Sequence, residues 1–394
     1  MKKEIKTNTK EILYFIGYFL MGLSSVVIGN SYLFGTKRFT ICEVVQYISA
    51  AFFLLSFVRG KYKITNLINV ILIGVVVSLS TIFMHNIALG LYGLSVIVAT
   101  RIDIRKIVKY SVINNIIFLI IVIVPALLGL IPDDIYRHGN MIAHGLGFAY
   151  YSNMSYIVFM CTIAIYWLIK SKKIGRIFLI LSVPVHILVY KISTVRLVFY
   201  LYIVFLVIAF FVDKINKQKQ HKLLLWVATV MYPLMATFII VASFIYEKSK
   251  VLFAFNVAIN YRLNFNLQGF QKYGVKLFGQ KIVEVAEYID DNFINHYFYI
   301  DCGYIYMLIG YGAILFVIIM MIYIIISRYA VKKNDMKLFC WCVVVCLFSV
   351  INNIMFITAL NPLPIIGLNL IINDRVTLRT KNKKCAVLPY KNVQ

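Results

Sequence analysis

The chain has 394 residues, of which 62% are hydrophobic and only 14% are charged. Soluble domains are about 45–50% apolar and about 25% charged, so this composition excludes an ordinary soluble globular protein. Lysine and arginine outnumber the acids by 40 to 15, which gives a formal net charge of +25 and raises the question of an anionic partner.

Apolar runs of about 20 residues recur along nearly the whole chain, and each is long enough to cross a hydrocarbon core of about 30 Å as a helix. We predict an all-α polytopic membrane protein, a single integral membrane domain over 1–394 with about 12 transmembrane helices. The first run has no convincing signal-peptide cleavage site, so we interpret it as a span. The predicted spans are 11–29, 40–58, 64–84, 86–100, 108–131, 148–169, 174–190, 197–213, 222–246, 303–327, 338–358 and 359–372.

The distribution of basic residues predicts how these spans are oriented. If the N-terminus is cytoplasmic, 29 of the 40 lysines and arginines fall in cytoplasmic segments, as the positive-inside rule requires. Both termini are then cytoplasmic, including a basic tail at 373–394, and we expect a multi-pass protein of the cell (plasma) membrane. Attraction to anionic lipid head groups explains the net charge, so no nucleic acid is expected as a partner.

The opposite, extracytoplasmic face carries both signs of charge and the one large loop, 247–302. Eight of the 15 carboxylates lie on that face. A loop of this length usually has a function. Within it, residues 251–270 place apolar side chains and Arg262 at helical spacing, which predicts an interfacial amphipathic helix with Arg262 on its rim.

The stretch RHGNMIAHGLGF, residues 137–148, collects ionisable residues and glycines between two apolar runs. Arg137 has a planar fork of donors suited to phosphate, and His144 can accept a proton near neutral pH. The alternative is an ordinary turn with a snorkelling arginine and a solvated histidine.

Two further outer segments present basic residues. The short turn YKISTVR at 190–196 carries Lys191 and Arg196 against the topogenic bias, although interfacial anchoring is an alternative explanation. Three turns of a bundle can converge, so Arg137, Arg196 and Arg262, with Lys191, are candidate ligands of an anionic substrate such as a lipid-linked diphosphate.

The end of the long loop adds candidates for acid–base chemistry. His296 and Asp301 precede a predicted span, where a carboxylate is also favoured by the helix dipole, so capping and catalysis both stay open for Asp301. Nearby tyrosines are candidates for stacking on sugars or for an aromatic belt at the membrane interface.

Motifs for other chemistry are missing from the sequence. The seven cysteines show neither a disulfide framework nor zinc-ligand spacing, and there is no P-loop, dinucleotide fingerprint or HExxH motif. The carboxylates at 290, 291 and 301 have no spacing that demands a cation. We therefore expect no metal and no cofactor.

Four stretches together resemble the Wzy-type polysaccharide polymerases of the O-antigen ligase and polymerase group. HGLGF at 144–148 resembles their HSLGF before a span, with Gly145 in place of serine and no HPN after it. STVR at 193–196 resembles a Ser/Thr-x-Arg turn, and LFGQKI at 277–282 resembles an FGxG element with Lys281 replacing the second glycine. DCGYIYMLIGYG at 301–312 resembles an Asp-x-x-Tyr-x-x-Leu element that runs to a glycine.

The resemblance implies a metal-independent membrane glycosyltransferase that joins repeat units carried on undecaprenyl diphosphate into a capsular or other surface polysaccharide. Arg137, Arg196 and Arg262 would neutralise the departing diphosphate. His144, His296 or Asp301 would activate the acceptor hydroxyl, and the choice among them stays open. The implied partners are the undecaprenyl-diphosphate-linked oligosaccharide and membrane lipid, with a flippase and a chain-length regulator as candidate protein partners.

Two other functions remain as alternatives. A related ligase would transfer a finished glycan to another acceptor. A lipid-linked oligosaccharide flippase or transporter would also suit 12 spans, but a carrier should show repeat symmetry and ionisable residues near the midplane. Charged residues are nearly absent from the predicted spans, and the long loop lies on one side, which favours an enzyme.

Overall fold

A computed structural model describes residues 2–60, 64–100, 102–138, 141–212, 217–285 and 298–370. In this part of the chain the helices far outweigh one two-stranded antiparallel hairpin, formed by β1 (Ile135–His138) and β2 (Met141–His144), which confirms the all-α class. The helices are α1 (Lys2–Gly22), α2 (Arg38–Val58), α3 (Ile64–Met84), α4 (Ile87–Val98), α5 (Ile104–Leu127), α6 (Asn153–Leu168), α7 (Lys172–Ser193), α8 (Arg196–Val212), α9 (Lys217–Ile245), α10 (Lys250–Ala258), α11 (Arg262–Tyr273), α12 (Gly303–Tyr306), α13 (Ala313–Lys332) and α14 (Met336–Phe348).

Length and hydropathy identify this as a membrane-embedded protein. Among the described residues, six helices are long and apolar enough to cross a membrane, and further apolar helices are shorter. The long ones are Thr9–Ile28, Gly35–Val58, Ile104–Leu127, Lys172–Ser193, His221–Lys248 and Ala313–Lys332. Each overlaps a span expected from the sequence, while the count of 12 crossings stays a prediction.

The span expected at 303–327 is not one continuous helix. Helix α12 is followed by a π-helical turn, Met307–Tyr311, and Gly312 then adopts a φ of 94° before α13 begins. The cause is the segment around Gly279, whose backbone packs directly on this break. Gln280 N donates to Gly310 O (3.0 Å), and Ala313 N donates to Lys276 O (3.0 Å). The irregular segment 276–280 therefore replaces helical hydrogen bonds at this break.

The spans expected at 338–358 and 359–372 are also different in the structure. Helix α14 ends at Phe348, residues 349–362 are irregular, and residues 363–370 are helical. Irregular backbone inside an apolar bundle must find hydrogen-bond partners within the protein. Side chains of neighbouring helices supply them: Tyr18 donates to Thr358 O (2.7 Å), Tyr323 to Met355 O (2.6 Å) and Asn115 to Ala359 O (3.1 Å).

The loop expected at 247–302 begins with folded structure. Residues 251–270 form two helices, α10 and α11, rather than the single interfacial helix expected from the spacing. Asn260 and Tyr261 adopt positive φ angles of 57° and 59°, which end the first helix. Asn256 then accepts a hydrogen bond from Leu263 N (2.9 Å) at the start of α11, and Arg262 is buried rather than on a rim.

Candidate functional site

Several turns and both helix breaks surround one cavity of about 1100 Å³. Its wall comes from the end of α1, the start of α6, the α7–α8 turn, the α10–α11 junction, residues 299–301 and the irregular segment 349–362. The polar lining includes Asn30, Ser152, Asn153, Thr194, Arg196, Asn260, Arg262, Glu284, Asp301, Asn352 and Asn353. Tyrosines 150, 151, 156, 200, 261, 299 and 306 and a set of aliphatic side chains complete it.

An ion pair between Arg262 and Asp301 joins two parts of this wall. Arg262 is only 9% exposed, and its Nη2 lies 2.5 Å from Asp301 Oδ2, while Nη1 donates to Ile259 O (2.8 Å). Arg262 Nε is buried and has no hydrogen-bond partner. Burial raises the pKa of the Asp301 carboxyl, and the charge of Arg262 opposes that rise.

Arg196 lies at the first position of α8, where a tight turn presents it to the cavity. Thr194 adopts a left-handed conformation (φ 54°), and its N–H donates to Tyr190 O (2.7 Å), which ends α7. Ser193 is anchored to Ser155 of α6 by a 2.7 Å hydroxyl contact. The side chain of Arg196 is exposed and forms no ion pair with a described residue, so its charge is available to a ligand.

Two asparagines add buried polar atoms without protein partners. Asn153 Nδ2 and Asn353 Oδ1 are both buried and unpaired, although Asn353 Nδ2 donates to Tyr311 Oη (3.1 Å). Both residues line the cavity, so their side-chain amides lie close to any ligand that it holds. The pair Asn352–Asn353 was not among the predicted site residues, although two amides inside an apolar run are a visible signal.

Glu284 is a further cavity residue that was not among the predicted site residues. It lines the cavity, and its Oε1 accepts a hydrogen bond from Ile300 N (3.3 Å). Burial raises the pKa of the Glu284 carboxyl to about 7, the bond from Ile300 opposes this rise, and the nearby charge of Asp301 adds to it. Partial burial distinguishes Glu284 from the exposed Glu247 of the same loop, and burial cannot be read from the local sequence.

The structure brings together some predicted site residues and leaves others apart. Arg196, Arg262 and Asp301 line the cavity, whereas His144 and Lys191 are not among its described lining residues. The backbone of Arg137 lies in β1, but its side chain is outside the part of the chain that is described. His296 also falls outside the described residues.

His144 is committed to holding the β-hairpin in place. Its Nδ1 lies 2.7 Å from Asp133 Oδ2, and the other oxygen of Asp133 accepts from Leu146 N (2.6 Å). The neighbouring Asp134 accepts a hydrogen bond from Tyr32 and, through its backbone oxygen, one from Gly145 N (2.9 Å). These contacts tie the hairpin base to the loop after α1.

Comparison of the chain with protein-family models, with curated proteins and with solved structures finds no match. Function is therefore argued from the cavity itself. In the described part of the chain, no group of three or more His, Cys, Asp or Glu side chains could hold a metal ion. The chemistry open to the described lining is that of two guanidinium groups, two carboxylates, several amides and a row of tyrosines.

Proposed function

We propose that this protein is a membrane glycosyltransferase that polymerises oligosaccharide repeat units carried on undecaprenyl diphosphate, at the outer face of the plasma membrane. One observation carries the proposal: Arg196, Arg262 and Asp301, from three separate turns, all line a single cavity. The sequence predicted that Arg196 and Arg262 converge together with Arg137, whose side chain lies outside the described part of the chain.

The lining matches an amphiphilic substrate. Aliphatic side chains such as Val195, Leu197 and Leu360 share the cavity with amides and tyrosines. A lipid-linked sugar has the same two characters, because its isoprenoid chain is apolar and its head group is rich in hydroxyls. Tyrosine combines an apolar ring with a hydrogen-bonding hydroxyl and so suits the sugar part.

The two arginines have different electrostatic roles in this proposal. Arg262 is paired with Asp301 at 2.5 Å, so its positive charge is largely compensated and it is a fixed part of the cavity wall more than a source of net charge. Arg196 is exposed and unpaired among the described residues, so it provides the uncompensated positive charge that attracts a diphosphate. Fixed donors aimed at a departing anion stabilise the charge that develops as the bond breaks.

The reaction needs no nucleotide sugar. The acceptor hydroxyl of one lipid-linked unit attacks the anomeric carbon of the growing chain, and the bond from that carbon to the diphosphate oxygen breaks. The diphosphate leaves with the bonding electrons, and the proton of the hydroxyl passes to a base on the cavity wall. The products are a longer chain on one lipid and a free lipid diphosphate.

The proposed topology has 12 crossings with both termini in the cytoplasm, which places the α7–α8 turn and the 247–302 loop outside. The broken segments at 303–312 and 349–362 are compatible with this count, because irregular backbone is tolerated at membrane depth where it lines a cavity. A reporter fused after Gln394 tests the orientation, and an external signal would contradict it.

The size profile of lipid-linked glycans in cells that lack the gene tests the function. We expect long polymer to disappear and single repeat units to accumulate at the outer face. Units trapped at the cytoplasmic face would indicate a flippase, and finished polymer that stays on its lipid would indicate a ligase. An unchanged profile would remove the protein from glycan assembly.

A further inference from the structure

The position of Glu284 is set by a framework of backbone contacts. Val283 N donates to Tyr273 Oη (2.9 Å), and the same hydroxyl donates to Val283 O (3.1 Å). Val285 pairs with Phe298 through two backbone hydrogen bonds of 2.9 and 3.2 Å. Glu284 lies between these two contacts, so the backbone on both sides of it is hydrogen-bonded, which supports its position on the cavity wall.

The two carboxylates of the cavity differ in their partners. Asp301 Oδ2 is bound by Arg262 Nη2, which stabilises its ionised form and lowers its readiness to take a proton. Glu284 has a single long hydrogen bond of 3.3 Å, from Ile300 N, and no arginine or lysine is paired with it among the described residues. Glu284 is therefore the carboxylate whose oxygens remain open to a ligand.

The surroundings of Glu284 also favour proton exchange near neutral pH. Burial raises the pKa of Glu284 to about 7. A general base with a pKa near the operating pH is ionised in a useful fraction of the molecules and still takes up a proton readily. The described groups that interact with its charge are Asp301 and the phenols of Tyr299, Tyr306 and Tyr311, while Arg196 and Arg262 line the same cavity. The phenols stay neutral in this range, because burial raises the pKa of Tyr299 as well.

We infer that Glu284 is the general base that takes the proton from the acceptor hydroxyl in this cavity, an inference that rests on the proposed glycosyl transfer. The hydroxyl oxygen forms a bond to the anomeric carbon as its proton moves to a Glu284 carboxylate oxygen. The carbon–oxygen bond to the diphosphate breaks, and the diphosphate leaves with the electron pair. The proton on Glu284 then returns to water before the next cycle.

The sign of the pH dependence follows from this role. Glu284 acts only when ionised, so the rate is low below its pKa and rises with pH through about 7. The fall in rate below pH 7 is called the acidic limb of the pH–rate profile. The substrate diphosphate is a diester that stays ionised across this range, so its titration does not produce an acidic limb.

The test measures the initial rate at which undecaprenyl diphosphate is released by membrane vesicles that contain the full chain. The probe is undecaprenyl-diphosphate-linked oligosaccharide extracted from cells that lack the gene. Wild type is compared with E284Q, E284D and E247Q between about pH 5 and pH 9. Glu247 is a matched control, because it lies at the start of the same loop but is exposed and absent from the described cavity lining.

We expect wild type and E247Q to share an acidic limb with a midpoint near pH 7. E284Q should lose about 100-fold in rate above pH 7 and should show no fall at acidic pH, so its rate should approach that of wild type near pH 5. E284D, which keeps a carboxylate on a shorter arm, should retain part of the rate together with a limb, and it serves as the second test if E284Q accumulates poorly.

A wild-type rate and limb in E284Q would overturn the role of Glu284 and leave the polymerase proposal standing. Loss of donor binding by folded E284Q, measured by native mass spectrometry of purified protein, would assign Glu284 to binding and would also overturn it. No release of undecaprenyl diphosphate by the wild-type protein would contradict the proposed function itself.

Discussion

The β-hairpin and the cavity both gather ionisable residues, but they use them in opposite ways. At the hairpin, one oxygen of Asp133 contacts His144 Nδ1 and the other accepts a hydrogen bond from Leu146 N, so both carboxylate oxygens have partners within the protein. In the cavity, Arg262 is paired with Asp301, yet its Nε is left buried and without a partner. The hairpin charges therefore need no ligand to explain them, whereas Arg196 on the cavity wall is exposed and forms no ion pair with a described residue.

The two regions also differ in how far apart their residues are in sequence. The hairpin contacts join residues that are near neighbours in the chain, such as Asp133 and His144. The cavity is assembled by contacts between distant segments, such as the ion pair between Arg262 and Asp301. Substitutions at the cavity and at the packed helix break should therefore affect folding or polymer formation more than substitutions in the hairpin. Four sets of variants test this difference.

Gly279→Ala should have the largest effect. A Cβ at this position would lie 1.9 Å from Gly310 O, a backbone atom that cannot move aside. The φ of Gly279 is also 83°, a left-handed conformation that side chains rarely adopt. We expect little folded protein, measured by size-exclusion chromatography of the detergent-solubilised chain. Gly129→Ala is the matched control: its φ is 71°, but a Cβ there would meet nothing within 4 Å.

The control variant should lose only the conformational cost of a left-handed residue, about 1–2 kcal/mol, and stay folded. Equal losses in Gly279→Ala and Gly129→Ala would show that the close packing at the helix break is not required.

Arg262→Ala should abolish polymer, with a fall of at least about 100-fold in the rate of chain growth, because the cavity loses a guanidinium group that is fixed in its wall. It should also lower the thermal stability, since Asp301 is left without its partner. The double variant Arg262→Ala with Asp301→Asn removes the unpaired charge, so it should regain stability but not polymer. Recovery of polymer in the double variant would reduce the pair to a structural role.

His144→Ala should have a smaller effect than Gly279→Ala or Arg262→Ala. Its side chain is 39% exposed, and a partly solvated pair of this kind contributes about 0.2–1 kcal/mol. We expect normal polymer and a slightly lower melting temperature. Asp133→Ala should cost more stability, because it also removes the acceptor for Leu146 N. Loss of polymer by folded His144→Ala would contradict the separation of hairpin and cavity.

The sequence predicts the helices of this protein better than their interruptions. Hydropathy identifies a span wherever about 20 apolar residues follow one another, and α5 and α13 both fall where this rule expects a span. It cannot detect that Gly279 packs against Gly310, because no local pattern shows a contact between segments far apart in the chain. The break at Gly312 and the irregular segment 349–362 were missed for this reason.

The candidate site likewise contains residues that the sequence pointed to and residues that only the fold reveals. Charge asymmetry led to the expectation that Arg196 and Arg262 converge, and both line the cavity. The expectation for His144 was made without knowledge of its partner Asp133, because pairing depends on the hairpin geometry. Glu284 was missed because its distinguishing feature is burial, which only the fold creates.

Complementation of gene-deleted cells with Arg196→Ala and, separately, with Lys191→Ala tests the central claim most directly. Both side chains are basic and exposed and lie at the two sides of the α7–α8 turn, but only Arg196 lines the cavity. We expect Lys191→Ala to restore long polymer, whereas Arg196→Ala should leave single lipid-linked units although the protein is present. Equal polymer from both variants would contradict the assignment of this cavity as the site of polymerisation.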